Sequence, residues 1–146
     1  GEVTAVNGSV VPFDELLASA DVVSIHTPLT PSTKGMFGRR EFQSMKNTAL
    51  LVNTARGEVI HEEALLHALS RGELQGAALD VRRQEPPGES KLGSMPNVIT
   101  TPHIAAFTQE AQQRVVETVC TAVARVLQNL EATGWVNFSR PRRPSS

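Results

Sequence analysis

A chain of 146 residues, 40% hydrophobic and 20% charged, is long enough to bury a core and too apolar for wholesale disorder. Its 14 basic and 15 acidic residues leave a net charge of -1, which excludes an electrostatic footprint for nucleic acid or an anionic membrane. The lone Cys120 excludes an internal disulfide and a cysteine zinc site, and no apolar run reaches the roughly 18 residues that span a bilayer. No signal-peptide pattern opens the chain, so a cytoplasmic protein is expected.

Short apolar runs alternate with amphipathic segments, the pattern of βαβ units and a parallel sheet. Asp14 to Ala20 reads as a short helix capped near Pro12, and Asp21 to His26 as a strand rich in β-branched residues. Arg40 to Lys46 reads as a helical turn or two. Ala49 to Asn53 is a continuous apolar strand of the kind buried on both faces. Glu62 to Arg71 puts Ala64, Leu65, Ala68 and Leu69 on one stripe, with Gly72 as its stop signal. Gly76 to Asp80 and Asn97 to Thr100 are two further strands, the second introduced by the turn pair Pro96-Asn97. Gln109 to Thr133 is the longest periodic segment, with Val115, Val116, Val119, Val123, Val126 and Leu130 at helical spacing and Gly134 as its end. Trp135 and Phe138 are expected to pack after that helix. The Pro-rich basic tail from Arg140 to Ser146 is expected to be disordered.

Three strand ends carry chemistry. In open α/β sheets ligands bind outside the carboxyl ends of the strands. Asn53-Thr-Ala-Arg-Gly57 follows one such strand, and Arg56 there offers a rigid fork of donors suited to a carboxylate. Glu85, held extended by the two prolines behind it, follows the next strand and is placed to partner a histidine. His103 follows a third, at a strand-to-helix junction suited to a general acid or base. Taken singly, each has a bland reading: a surface arginine, a solvated loop acid, a capping histidine. Together they fall on one edge of one sheet, and that joint placement favours function. Metal binding is not expected. His61-Glu62-Glu63-Ala64-Leu65 begins like a zinc-protease helix but has Leu65 where the second histidine is required, and His61 and His67 fall on different helix faces. His26 closes a strand, where it lines a cleft or packs.

The order and spacing of these motifs resemble the D-isomer-specific 2-hydroxyacid dehydrogenases. The resemblance rests on Ala20-Asp-Val-Val-Ser-Ile-His-Thr-Pro-Leu-Thr-Pro-Ser-Thr-Lys-Gly35, Asn53-Thr-Ala-Arg-Gly57, Ala78-Leu-Asp-Val81 with Glu85-Pro-Pro87, and Thr101-Pro-His-Ile-Ala105. It implies a partial Rossmann-like, doubly wound parallel α/β sheet that binds NAD or NADP, and hydride transfer to or from a small 2-keto or 2-hydroxy acid. By that resemblance Arg56 matches the substrate-carboxylate arginine, Glu85 the acid paired with the catalytic histidine, and His103 that histidine. Asp80 matches the aspartate near the nicotinamide carboxamide, and Thr27 and Pro28 the segment beside the adenosine. Thr54 and Ala55 match the backbone along the nicotinamide ring, and Ala105 closes the histidine's cofactor-side motif. Glu85, rather than Gln, argues against the formate dehydrogenase branch. The spacing from Glu85 to His103 resembles the glyoxylate/hydroxypyruvate reductase type more than the D-lactate type. A phosphoglycerate dehydrogenase-like member is the alternative within the same resemblance.

Departures from the family pattern are also visible. His61 stands where Asp is common, Arg82 and Arg83 where an aromatic residue is frequent, and Ala106 and Phe107 where small residues are usual. No G-x-G-x-x-G occurs anywhere in the chain. The Gly1-Glu2-Val3 start and Gly8 to Val11 look like the neighbourhood of the fold's third strand, left without its partner, with the edge of the fourth strand open. The expected organisation is therefore the C-terminal part of a dinucleotide-binding domain over residues 1–108, a long helix returning toward a substrate domain over 109–138, and a tail over 139–146. Such a truncated chain is expected to be inactive alone, and homodimeric as the family usually is. A second class is implied by the same resemblance: NAD(H)-binding corepressors that keep the three residues but act as assembly proteins.

Overall fold

The computed structural model describes residues 8–85 and 91–131. The chain divides into two compact units, Gly1–Ala105 and Ala106–Ser146. The first unit runs α1 (Phe13–Ser19), β1 (Val22–Ile25), α2 (Arg39–Ser44), β2 (Leu50–Asn53), a 3-10 turn (Gly57–Val59), α3 (Glu62–Ser70), β3 (Gly76–Leu79) and β4 (Val98–Thr100). The second holds α4 (Gln109–Leu127).

The four strands form one wholly parallel sheet in the order β1-β2-β3-β4. Register places Val23, Leu51, Ala77 and Val98 in one row, with Ile25, Asn53, Leu79 and Thr100 in the row two residues on. Residues two apart share a face. On that face Leu17 of α1, Phe42 of α2 and Leu65 of α3 are fully buried, in one cluster with Val23, Ile25, Leu51 and Leu79. Phe13 meets Phe37 edge to face at 5.6 Å, extending the cluster beneath α1.

The opposite face corrects one expectation. Leu50 is 41% exposed, so β2 is not buried on both sides, and Val22 and Ile99 share that exposed face. Each strand is also one or two residues shorter than its apolar run, because Asp21, His26, Ala49, Asp80 and Asn97 fall outside the ladders. Ser9 to Val11 forms no strand. Gly1 to Val3, Gly134, Trp135, Phe138 and the basic tail lie outside the described residues.

Helix ends follow local chemistry. Gly72, at φ 69°, stops α3 as expected: its N–H donates to Leu69 O and that of Glu73 to Ala68 O, a Schellman closure. The same closure ends α4 earlier than Thr133. Asn129 takes φ 58°, its N–H reaches Val126 O, and Leu130 N–H reaches Arg125 O at 2.8 Å. Asparagine tolerates the left-handed region, so it substitutes for the glycine that the periodicity alone favours. Thr108 caps the other end, its hydroxyl accepting from Ala111 N–H at 3.1 Å. The apolar stripe of α4, including Val115, Val116, Val119 and Val123, is exposed.

A one-sided core has an energetic signature. Leu51→Ala should cost about 2–5 kcal/mol in urea unfolding, and Leu50→Ala, on the neighbouring residue, a small fraction of that. Equal losses at the two positions would contradict the asymmetry of the sheet.

Candidate active site

Parallel strands bring all their carboxyl ends to one edge, so the segments after β1 to β4 leave the sheet on the same side. Every residue singled out in the first unit lies in one of those four segments. Two buried polar side chains shape them.

The first is Asp80, one residue past β3 and 6% exposed. Its Oδ1 accepts from the Thr101 hydroxyl at 2.5 Å and the Ile104 N–H at 2.9 Å, and its Oδ2 from the Ala105 N–H at 2.9 Å. Its carbonyl accepts the His103 N–H at 2.8 Å. One residue thus holds both flanks of the histidine loop. Burial pushes the Asp80 carboxyl up, but these donors and the nearby His103 outweigh it and leave the group below its ordinary 3.8. His103 itself sits at φ 56°, in the left-handed region that non-glycine residues seldom occupy.

The second is Asn53, the last residue of β2 and fully buried. Its amide donates to Arg56 O at 2.9 Å while its carbonyl oxygen accepts the Ala55 N–H at 3.0 Å. That closes an Asx-type turn over Thr54 and Ala55 and carries Arg56 out of the sheet. Arg56 is exposed and lays one guanidinium nitrogen on Ala55 O at 2.6 Å. The next residue explains its neighbourhood. A Cβ added to Gly57 would fall onto the carbonyl carbon and oxygen of Arg82 and the nitrogen of Arg83. Only glycine lets the loop after β2 lie against the loop after β3.

Glu85 and His103 meet. Glu85 Oε2 lies 2.7 Å from His103 Nδ1, and since a carboxylate can only accept, Nδ1 is the donor. The imidazole's Nε2 is left as the atom for chemistry. The other oxygen, Oε1, accepts the Arg82 N–H at 3.0 Å. The bond from His103 and then that from Arg82 hold the Glu85 carboxyl below its ordinary 4.5. The two side chains are 49% and 37% exposed, so the pair is accessible from solvent.

Thr27 and Pro28 stand apart, joined to the other candidates by no hydrogen bond among the described residues. Pro28 O accepts from the Thr33 hydroxyl at 2.6 Å, folding the segment on itself. The Thr27 hydroxyl oxygen is buried with no partner. A buried hydroxyl without a partner at a strand's carboxyl end suits a ligand that brings its own polar group. Arg82, 7% exposed, buries its stem and forks onto Glu62 at 3.2 and 3.2 Å. Phe107 is exposed. Asn53 and Glu62 are the residues that sequence reasoning missed. An asparagine closing an otherwise apolar strand was the available signal for the first. No sequence signal pairs Glu62 with a residue 20 positions away. Among the described residues no group of three or more His, Cys, Asp and Glu is placed to hold a metal, and no helix is long and apolar enough to cross a membrane.

The family described as D-isomer specific 2-hydroxyacid dehydrogenase, NAD binding domain, matches residues 2–105. The chain is 44% identical over 126 residues to the D-3-phosphoglycerate dehydrogenase of Bacillus subtilis (strain 168), covering 86% of this chain and 24% of that protein. Among solved structures, the NAD complex of a D-isomer specific 2-hydroxyacid dehydrogenase from Lactobacillus delbrueckii ssp. bulgaricus superposes with a TM-score of 0.79 at 36% identity. That match covers 86% of this chain and 43% of the other. An NADPH complex from Xanthobacter autotrophicus Py2 gives 0.75 at 31%, covering 86% and 51%. The chain spans about a quarter of the length of the phosphoglycerate dehydrogenases it matches.

The carboxylate clamps carry a pH dependence of definite sign. Asp80, Glu85 and Glu62 all have folded-state carboxyls below their ordinary values. Each therefore contributes stability that is fully present above the unfolded pKa and is lost as pH falls through the folded one. Urea midpoints should be flat above about pH 5 and decline below about pH 4. Asp80→Asn, which turns an amide NH2 donor toward a group that itself donates, should cost about 1–3 kcal/mol at neutral pH and make the acid limb shallower. An acid limb as steep as in the parent chain would refute the clamp.

Proposed function

Given that this chain belongs to the D-isomer specific 2-hydroxyacid dehydrogenases, by their NAD-binding domain, we propose that it supplies the proton-transfer and carboxylate-binding groups of an oxidoreductase. That enzyme interconverts a small 2-keto acid and its 2-hydroxy acid. The observation that carries the reading is the Glu85–His103 pair at the carboxyl edge of a parallel sheet, beside the loop that bears Arg56.

Each group has a chemical task. His103, with Nδ1 engaged by Glu85, presents Nε2 to the substrate oxygen and gives it a proton during reduction, or takes one during oxidation. Glu85 fixes the ring's tautomer and its orientation. Arg56 leaves Ala55 O to grip the substrate carboxylate, an exchange its exposed position allows. NAD or NADP supplies the hydride when bound. Thr27 and Pro28 would lie beside the adenosine, with Thr54 and Ala55 along the nicotinamide. Asp80 Oδ2, with a single donor among the described residues, has acceptor capacity left for the carboxamide. Ala105, whose N–H is bound by that same oxygen, forms the wall next to it. The hydroxyl of Thr27 supports the adenosine assignment.

The remaining expectations belong to the same reading. Residues up to 108 form the cofactor-binding part, and α4 leads on toward a substrate domain. The exposed stripe of α4 supports association, with a homodimer as the proposed state. The lone, exposed Cys120 accords with a reducing cytoplasm.

The test is oxidation of NADH and NADPH with glyoxylate, hydroxypyruvate, pyruvate and phosphohydroxypyruvate, by this chain and by the whole gene product that contains it. Turnover is expected in the latter. His103→Ala should lower kcat by about 10²–10⁴-fold, while Arg56→Gln should raise KM for the acid by about tenfold or more. No turnover with NADH binding intact would sink the enzyme and leave a dinucleotide-gated assembly protein.

A further inference from the structure

Glu62 opens α3, in the segment that follows β2, and its carboxylate faces the segment that bears Glu85. Three donors converge on it: Arg82 Nε on Oε1 at 3.2 Å, Arg82 Nη2 on Oε2 at 3.2 Å, and the Arg83 N–H on Oε1 at 2.9 Å. The Arg82 side chain is 6% exposed and that of Glu62 28%. A bidentate fork between a guanidinium and a carboxylate is specific in angle as well as distance, and burial strengthens that preference. The donors outweigh the burial that opposes ionisation and keep the Glu62 carboxyl below its ordinary 4.5, so it is charged at neutral pH.

What this fork immobilises is the Arg82–Arg83 peptide. That peptide rests on the bare Cα of Gly57 from one side, and the Arg83 N–H is bound to Glu62. The N–H of the peptide before it, that of Arg82, joined to it through the Arg82 Cα, is the donor that occupies Glu85 Oε1. With Oε1 so held, the plane of the Glu85 carboxylate is set and Oε2 falls 2.7 Å from His103 Nδ1. An exposed glutamate would otherwise sample several rotamers, and its side chain costs entropy to hold in one.

We infer that Glu62 is a positioning residue for the Glu85–His103 pair, acting through the Arg82 guanidinium and the Arg82–Arg83 peptide. It touches neither the histidine nor the substrate. The inference rests on the reading of His103 as the proton-transfer group, and it assigns to this chain's own Arg82 a second task besides filling space. Losing the Glu62 carboxylate would take this acceptor from the Arg82 guanidinium and the Arg83 N–H and so loosen Glu85, while the Asn53 amide still holds the carbonyl of Arg56.

The experiment uses the full 146-residue chain, isotopically labelled, with Glu62→Ala, Glu62→Gln and, as the reference for a broken pair, Glu85→Gln. Two NMR signals are followed: solvent exchange of the His103 Nδ1 proton and the pH titration of the Glu85 carboxyl carbon. In Glu62→Ala the proton should exchange about fivefold faster, the factor carried by one net hydrogen bond, and the Glu85 midpoint should move up toward 4.5. Both signals unchanged in a folded Glu62→Ala chain overturn the inference. If that variant does not fold, Glu62→Gln, which keeps an acceptor for the Arg83 N–H but loses the charge, decides by the same two signals. In the whole gene product the substitution should lower kcat by about the same factor with KM for the acid unchanged. An unchanged kcat in a variant whose proton exchange has quickened also overturns it. The NMR signals belong to the resting chain, so a working clamp in a protein without turnover sinks the dehydrogenase reading and leaves the clamp standing.

Discussion

A carboxylate taken out of water must find donors, and Asp80 finds them in the loop beyond β4. Thr101, Ile104 and Ala105 each donate a hydrogen bond to it, and its own carbonyl accepts the N–H of His103. These bonds join the end of β3 to the far side of β4, across the crevice where a parallel sheet opens. Without them the loop from Thr101 to Ala105 has no reason to turn back over the sheet. The backbone of His103 would then be free to relax from its left-handed conformation. The position of the imidazole, and hence its meeting with Glu85, depends on a side chain that itself makes no contact with either ring nitrogen.

Asn53 does at the end of β2 what Asp80 does after β3. Both are buried polar side chains at a strand's carboxyl end, but Asn53 spends its hydrogen bonds on the loop that follows it and Asp80 on the loop beyond β4. The arrangement is economical because a buried polar group must be satisfied in any case, and here the satisfaction shapes a site. Gly57 then couples the two loops by contact instead of hydrogen bonding. Arg56, Glu85 and His103 are thereby set by backbone geometry fixed one layer beneath them, and their own side chains stay exposed enough to meet a ligand.

Much of this was legible in the sequence, and the boundary has a physical basis. Strand order and helix placement follow from alternation of apolar runs with 3.6-residue stripes, and α3 stopped at Gly72 as written. The pairing of Glu85 with His103 was legible because strand ends in a parallel sheet share an edge, which turns distant residues into neighbours. The exposure of Leu50 was not legible, since an apolar run does not say what covers each face. Nor was the early end of α4: periodicity continued past Leu127, and only the conformation of Asn129 reveals that the backbone had already turned. The fork of Glu62 onto Arg82 depends on how a helix start lies against a loop 20 residues later, a tertiary fact with no local signature.

The conformation of His103 has a consequence for how this position can change over time. A left-handed φ of 56° is one that glycine adopts without cost and asparagine with little, so backbone preference pulls the site toward those residues. Imidazole chemistry is the force that opposes that pull. If a descendant of this chain were released from the need to move protons, drift at residue 103 would run downhill toward glycine, and the fold would gain stability as it lost its reagent. On the proposed reading, a histidine stands there because of its chemistry and against the preference of the backbone.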